Sequence, residues 1–291
     1  MSARGRSRRG ALAIGFRVGT YLALLLVLGP ALWIVVGVIA RAVPHWQWDV
    51  LWHTTKGSSG GLEGALLGSL ILMVGVLIIA GSIGVLAGIH LAELARPRRS
   101  GKPGGGIMRM AADVLSGFPS IVLGYVGYVA LVVGLHWGYS LLPALLILSI
   151  MVVPYIAKAT ETAIRQVPTA YREGAEALGM STGYGLRKVV LKTALPGIVT
   201  GLLIALAIAC GETAPLLYTA GWSGGNWTGS FIGGHQFSYL TYPVYVFYNT
   251  PNPSAHALAY DAALLLLVIV LLLLVSSRII VARTQRHAES R

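Results

Sequence analysis

Long uncharged apolar runs, separated by short charged or turn-rich segments, dominate this chain. A bilayer core about 30 Å thick takes about 20 apolar residues in helix, so runs near that length are the units that matter. Six of them occur, at 18–40, 64–91, 114–135, 141–157, 197–219 and 258–277. The pattern therefore predicts an all-α, polytopic membrane protein with six transmembrane helices. Only His136-Trp137-Gly138-Tyr139-Ser140 separates the third run from the fourth, which predicts a helical hairpin. The first run follows an Arg-rich start, as in a signal peptide, but its 23 residues exceed the 7–15 of a cleaved apolar region. It reads as an uncleaved anchor.

Composition excludes the soluble alternatives. Of 291 residues, 55% are apolar and 11% charged, too few charges for a water-exposed surface. With 22 Lys and Arg against 10 Asp and Glu the net charge is +12, which in a soluble protein would suggest nucleic acid. A mean hydropathy of +0.73 points to lipid as the solvent instead. Five basic residues lie at or before Arg17, five between Arg96 and Arg109, six between Lys158 and Lys192, and four from Arg278 onward. Only Arg41 and Lys56 fall on the other side, so the positive-inside rule places both termini in the cytoplasm. The single Cys210 makes no intrachain disulfide, and no Cys/His cluster has metal-ligand spacing.

These segments suggest a basic cytoplasmic tail at 1–17, an anchor and outer loop at 18–63, a transmembrane core at 64–277, and a basic cytoplasmic tail at 278–291. The Pro/Gly cluster from Arg96 to Pro103 reads as a flexible connector near anionic headgroups. From Gly221 to Ala257 the outer loop has no Lys, Arg, Asp or Glu but nine aromatic residues. It should lie in the membrane interface or pack on protein, with a role in closing an outer gate as the second reading. Glu93 and Asp113 are expected at the hydrated cytoplasmic interface, and Asp261 near the outer start of span six.

The cytoplasmic segment 158–196 is too long for a plain connector. Within it Pro168 and Thr169 mark a helix start and Gly179 its end. Tyr171, Ala175 and Leu178 fall on one face, and Gly174 and Ala177 keep neighbouring positions small. A helix this short is marginal alone, so a partner surface or the membrane surface should stabilise it.

Glu173-Gly174-Ala175, with Gly179 four residues on and a stretch reaching Leu195-Pro196-Gly197, resembles the EAA loop of ABC-importer permeases. The resemblance implies a coupling helix, carried here by Tyr171, Glu173, Gly174, Ala175, Leu178 and Gly179, that docks into a cleft on a cytoplasmic ATPase. Gly174 departs from the usual alanine and weakens the helix slightly. Further elements are similar to phosphate-importer permeases of the PstA type: the stretch from Gly84 to Glu93, Pro119-Ser120-Ile121-Val122-Leu123-Gly124, and Gly211-Glu212-Thr213-Ala214-Pro215. They imply a MetI-like ABC-importer permease fold covering about 64–275. They also imply a second six-helix permease subunit as heterodimer partner, cytoplasmic ATP-binding subunits, an extracytoplasmic phosphate-binding protein, and residence in the cell membrane. No cofactor, metal or catalytic residue of the chain's own is implied. Where the family often carries an arginine three positions before that glycine, this chain has Ile208.

Glu212 sits well inside span five, where a central charge costs on the order of 3 kcal/mol, so it should face protein or water. Pro215 removes a backbone donor and predicts a break near Ala214; Pro119 does the same in span three. Broken spans line cavities in transporters, which makes Glu212, Thr213, Pro215, Pro119 and Ser120 the candidate translocation residues. Gly5 and Gly10 have P-loop spacing, but Ala11 stands where lysine is required, so any ATP site belongs to another polypeptide. A sulfate or molybdate permease, and less favourably a membrane-embedded lipid enzyme or an uncoupled channel, are the alternative readings.

Overall fold

A computed structural model describes residues 3–94 and 106–289, with side chains described for 15–93 and 106–283. The connector from Arg96 to Pro103 lies outside the described residues. The chain divides into two units, Met1–Trp46 and Gln47–Arg291. In the first, a single helix α1 (Ala3–Ala42) ends in a short turn over Val43–His45. It extends well before the apolar run because the Ala/Arg-rich start also favours helix.

The second unit opens with a turn at Trp48–Leu51 and a two-residue hairpin, β1 (Thr55–Lys56) against β2 (Ser59–Gly60), with Lys56 opposite Ser59. Helices follow: α2 (Glu63–Ile89), α3 (Gly106–Gly117), α4 (Ser120–Gly127), α5 (Leu141–Arg165), α6 (Thr169–Ala177), α7 (Thr182–Gly185), α8 (Leu191–Gly211), α9 (Ala214–Thr219) and α10 (Pro253–Glu289). Widened π-type turns extend α2 over His90–Leu94 and α4 over Tyr128–Gly134, and join α7 to α8 over Leu186–Val190. Five helical stretches are long and apolar enough to cross a membrane, and the bent pair α3–α4 makes a sixth.

The centre of this unit is α5, gripped from two sides. Gly84 and Gly88 of α2, four residues apart, face Ile156 and Thr160 of α5: a Cβ at Gly84 would lie 2.6 Å from that of Ile156, and one at Gly88 2.5 Å from that of Thr160. Gly197 and Gly201 of α8 repeat the arrangement against Ala163 and Ala159. Lipid tails are as apolar as leucine, so close backbone approach of this kind drives helix association in a bilayer. Around α5 a core forms from Val76, Leu145, Leu148, Val152, Leu206 and Leu216, closed at one end by Phe237 and Tyr239.

Boundaries differ from the apolar runs where polar residues are still helical. Span four does not stop at residue 157: α5 continues two turns to Arg165, so Lys158, Glu161 and Arg165 are helical and the connecting segment begins only at Gln166. Their charges are accommodated by neighbours, with Lys158 Nζ 2.7 Å from Asp113 and Arg165 2.8 Å from Glu161. Span three is not one straight helix, since α3 and the extended α4 meet at 97°. Asp261 is buried at 5% exposure rather than hydrated. The aromatic loop packs on protein, with Trp222 stacked on Tyr242 at 4.4 Å and Phe237, Tyr239 and Leu240 fully buried.

Candidate functional site

Two helix breaks face each other. In span five the ring of Pro215 would collide with the carbonyl four residues back, that of Gly211, and α8 ends there. Glu212 is extended (φ −72°, ψ 132°) and Thr213 re-enters at φ −115° before α9 begins with Pro215 in its first turn. The interruption therefore falls on Glu212 and Thr213, one to two residues before Ala214, near which it is expected. In span three the break takes Phe118 and Pro119, and Pro119 (φ −60°, ψ 129°) leads into α4 at Ser120.

The two half-helices that follow the breaks, α4 and α9, then run side by side. Gly124 of α4 approaches Pro215 of α9, and Gly127 lies against Ile147 and Thr219. This brings Ser120, at the start of α4, close to the carboxyl of Glu212. The positive end of α4 adds favourable potential for the carboxylate. Thr241 of the aromatic loop donates to the Glu212 carbonyl at 3.0 Å, satisfying an acceptor that the break freed from the helix. Of the five expected translocation residues, Glu212, Thr213 and Ser120 are half-buried, Pro215 is buried and Pro119 is exposed.

Sequence reading missed the aromatic ladder beside the breaks. Tyr125 meets Tyr218 edge-on at 6.0 Å, and Tyr128 stacks on Tyr139 at 5.8 Å. Tyr125 and Tyr128 on one helix and Tyr218 on another carry no shared spacing, so only their juxtaposition reveals them. Lys and Arg are absent from the sequence over 110–157 and 193–277, but Lys158 reaches the span-three break from α5, its Nζ donating to Ser116 Oγ at 3.2 Å. Among the described residues no group of His, Cys, Asp or Glu is placed to hold a metal ion.

The second feature is α6, at the basic end of the unit. Pro168 leads into it, and its far end closes with Gly179 at φ +73°. There the Gly179 N–H donates to the Glu176 carbonyl (2.9 Å) and the Met180 N–H to that of Ala175 (3.1 Å), a Schellman closure that satisfies the last carbonyls. The expected apolar stripe is divided. Ala175 is buried against Gly185, whereas Tyr171 and Leu178 are 51% and 77% exposed. Glu173 and Gly174 are also exposed, and nothing crowds Gly174. Arg172 points the other way, inward, to Glu93 beyond the end of α2.

Comparison with known proteins agrees with this architecture. A family model described as "Binding-protein-dependent transport system inner membrane component" matches residues 83–286. The chain is 56% identical over 241 residues to the phosphate transport system permease protein PstA 2 of Mycobacterium bovis, covering 83% of this chain and 78% of that protein. It is 34% identical over 203 residues to the phosphate transport system permease protein PstA of Haemophilus influenzae, covering 69% and 70%. Among solved structures, a chain of the MetNI methionine ABC transporter in an inward-facing conformation matches with a TM-score of 0.53 at 21% identity, over 81% of this chain and 99% of that one. An amino acid ABC transporter crystallised with histidines matches at 0.53 and 19% identity, over 77% and 92%. At such identities these two speak for the fold alone. The chain is a multi-pass membrane protein with the MetI-like permease fold; it belongs to the family of binding-protein-dependent transport system inner membrane components and is a permease of the PstA type.

Proposed function

We propose that this chain forms one half of the phosphate path of an ATP-driven importer, with both termini in the cytoplasm and a second six-helix permease as the other half. ATP is hydrolysed on separate cytoplasmic subunits, whose closure moves α6, and an external phosphate-binding protein delivers the ion to the outer loops. The observation that carries this reading is α6 itself. It is a nine-residue helix closed by Gly179, holding Tyr171 and Leu178 out to solvent while Ala175 and Arg172 turn inward. Exposed apolar side chains on a short, capped helix suit insertion into a cleft of another protein.

The facing breaks are the candidate path. An anion passing there meets the positive end of α4 and the carboxylate of Glu212, and since Lys158 at the edge of the span-three break is paired with Asp113, a further side-chain cation must come from the partner permease. A carboxylate can accept a hydrogen bond from a protonated phosphate oxygen, and sulfate at neutral pH carries no such proton. Glu212 thus either pairs with an arginine of the partner or favours protonated phosphate over sulfate. The test is reconstitution of the full complex in proteoliposomes. Phosphate should stimulate both ATP hydrolysis and uptake, whereas stimulation by sulfate or molybdate in its place would reassign the anion.

A further inference from the structure

Glu93 is half-buried at the end of the α2 extension, and the hydration expected of it is replaced by a contact with α6. The Arg172 Nη1 stands 2.5 Å from Glu93 Oε1, and its Nη2 donates to the Ile164 carbonyl at the end of α5 (3.3 Å). The two side chains are only 15% and 13% exposed. One planar guanidinium therefore ties α6 to the ends of both α2 and α5, a geometry that lysine, with its point charge, does not reproduce.

The remaining attachment of α6 is looser. Ala175 touches Gly185 of α7, and a cavity of about 80 Å³ opens between α6 and α7, lined by Glu93, Arg172, Glu176, Met180 and Leu186 among others. Packing is the stiff element of a protein interior, and a void interrupts it. By contrast α2 and α5 are locked together by Gly84 against Ile156 and Gly88 against Thr160, so a force reaching either helix moves both. A buried ion pair is not in itself a strong source of stability, because apolar side chains of similar volume often pack as well. What the pair supplies here is a directional joint.

We propose that Glu93 and Arg172 are positioning residues for transport, the joint through which movement of α6 is passed to the α2–α5 pair. This rests on the reading of α6 as the element that docks on the ATPase. It predicts that losing the joint leaves docking and hydrolysis in place but separates them from transport.

The experiment uses the complete importer in proteoliposomes and measures phosphate taken up per ATP hydrolysed, together with copurification of the ATPase. The apolar double variant Glu93→Leu with Arg172→Met removes both charges at once, so neither is left buried alone. Expected is full copurification, hydrolysis retained, and at least a tenfold fall in phosphate moved per ATP. Arg172→Lys, which keeps the charge but loses the second bond, should fall between the two and decides the matter if the double variant does not assemble. A ratio in Arg172→Lys and the double variant equal to that of the unmodified complex would overturn the joint, as would loss of the ATPase from an otherwise intact double variant, which would make the pair a docking support. Failure of the unmodified complex to couple phosphate to hydrolysis would instead count against the importer reading.

Discussion

Gly124 of α4 lies so close to Pro215 of α9 that a methyl group at Gly124 would stand 2.7 Å from the Pro215 Cα. The atom in the way is backbone, and it belongs to the half-helix that begins just after Glu212. Gly124→Ala should therefore push the two breaks apart rather than be absorbed by a side-chain rotation, at about 1–3 kcal/mol for overpacking. Phosphate uptake by the reconstituted complex should drop at least tenfold while the permease pair still purifies intact. Normal uptake by the alanine variant would mean that the contact does not set the path.

Much of this architecture is legible in residue order, and the exceptions have physical causes. Uncharged runs locate all six spans because the bilayer core excludes charge. The same rule misplaces the end of span four, since Lys158, Glu161 and Arg165 continue the helix once Asp113 and Arg109 meet their charges, the latter at 3.1 Å from Glu161. Pro215 announces a break, and it lands two to three residues before the proline, on Glu212 and Thr213, because a proline ring clashes with the carbonyl four residues back. Gly179 can be recognised as the end of α6 because only the left-handed region closes a helix that way. Pairings between distant segments are not legible: nothing in the local sequence of Glu93 names Arg172, 79 positions later. The grip on α5 is an intermediate case, since Gly84 and Gly88, and Gly197 and Gly201, have the spacing of helix-packing motifs but the sequence does not name their partner.

That grip makes a stability prediction. At Gly88 a Cβ would meet the Thr160 Cβ at 2.5 Å and the Ala157 carbonyl oxygen at 2.6 Å. Gly88→Val should destabilise the unit by about 1–3 kcal/mol or more, since both neighbours sit on a helix that is itself held by α8. Thermal unfolding of the detergent-solubilised protein should begin several degrees lower. Gly174→Ala, in open space on α6, should by contrast be neutral or raise helix stability by up to about 1 kcal/mol.

The exposed end of α6 gives a second contrast. Leu178 is 77% exposed and contributes little to the fold of this chain. Leu178→Asp should leave the melting temperature unchanged and abolish copurification of the ATPase. Gly179→Ala acts differently, forcing a side chain into φ +73° at about 1 kcal/mol and fraying the last turn. Binding of the ATPase should weaken severalfold without being lost. Equal behaviour of the two variants would argue that α6 is recognised as a flexible segment rather than as a capped helix.

Glu212 lies close to Ser120 where the two breaks meet. Glu212→Gln preserves shape and one carbonyl acceptor but removes the charge and adds two donors. If the carboxylate reads a proton on phosphate, the variant should take up phosphate at least tenfold more slowly and accept sulfate that the unmodified complex rejects, because an amide can donate to a fully deprotonated anion. If Glu212 instead pairs with an arginine of the partner permease, uptake should fall without any gain of sulfate, and neutralising that arginine in the same complex should restore part of the loss. Competition by sulfate in a phosphate-uptake assay separates the two outcomes. Unchanged phosphate uptake with unchanged sulfate exclusion would remove Glu212 from the path altogether, leaving the helix breaks to act through their backbone.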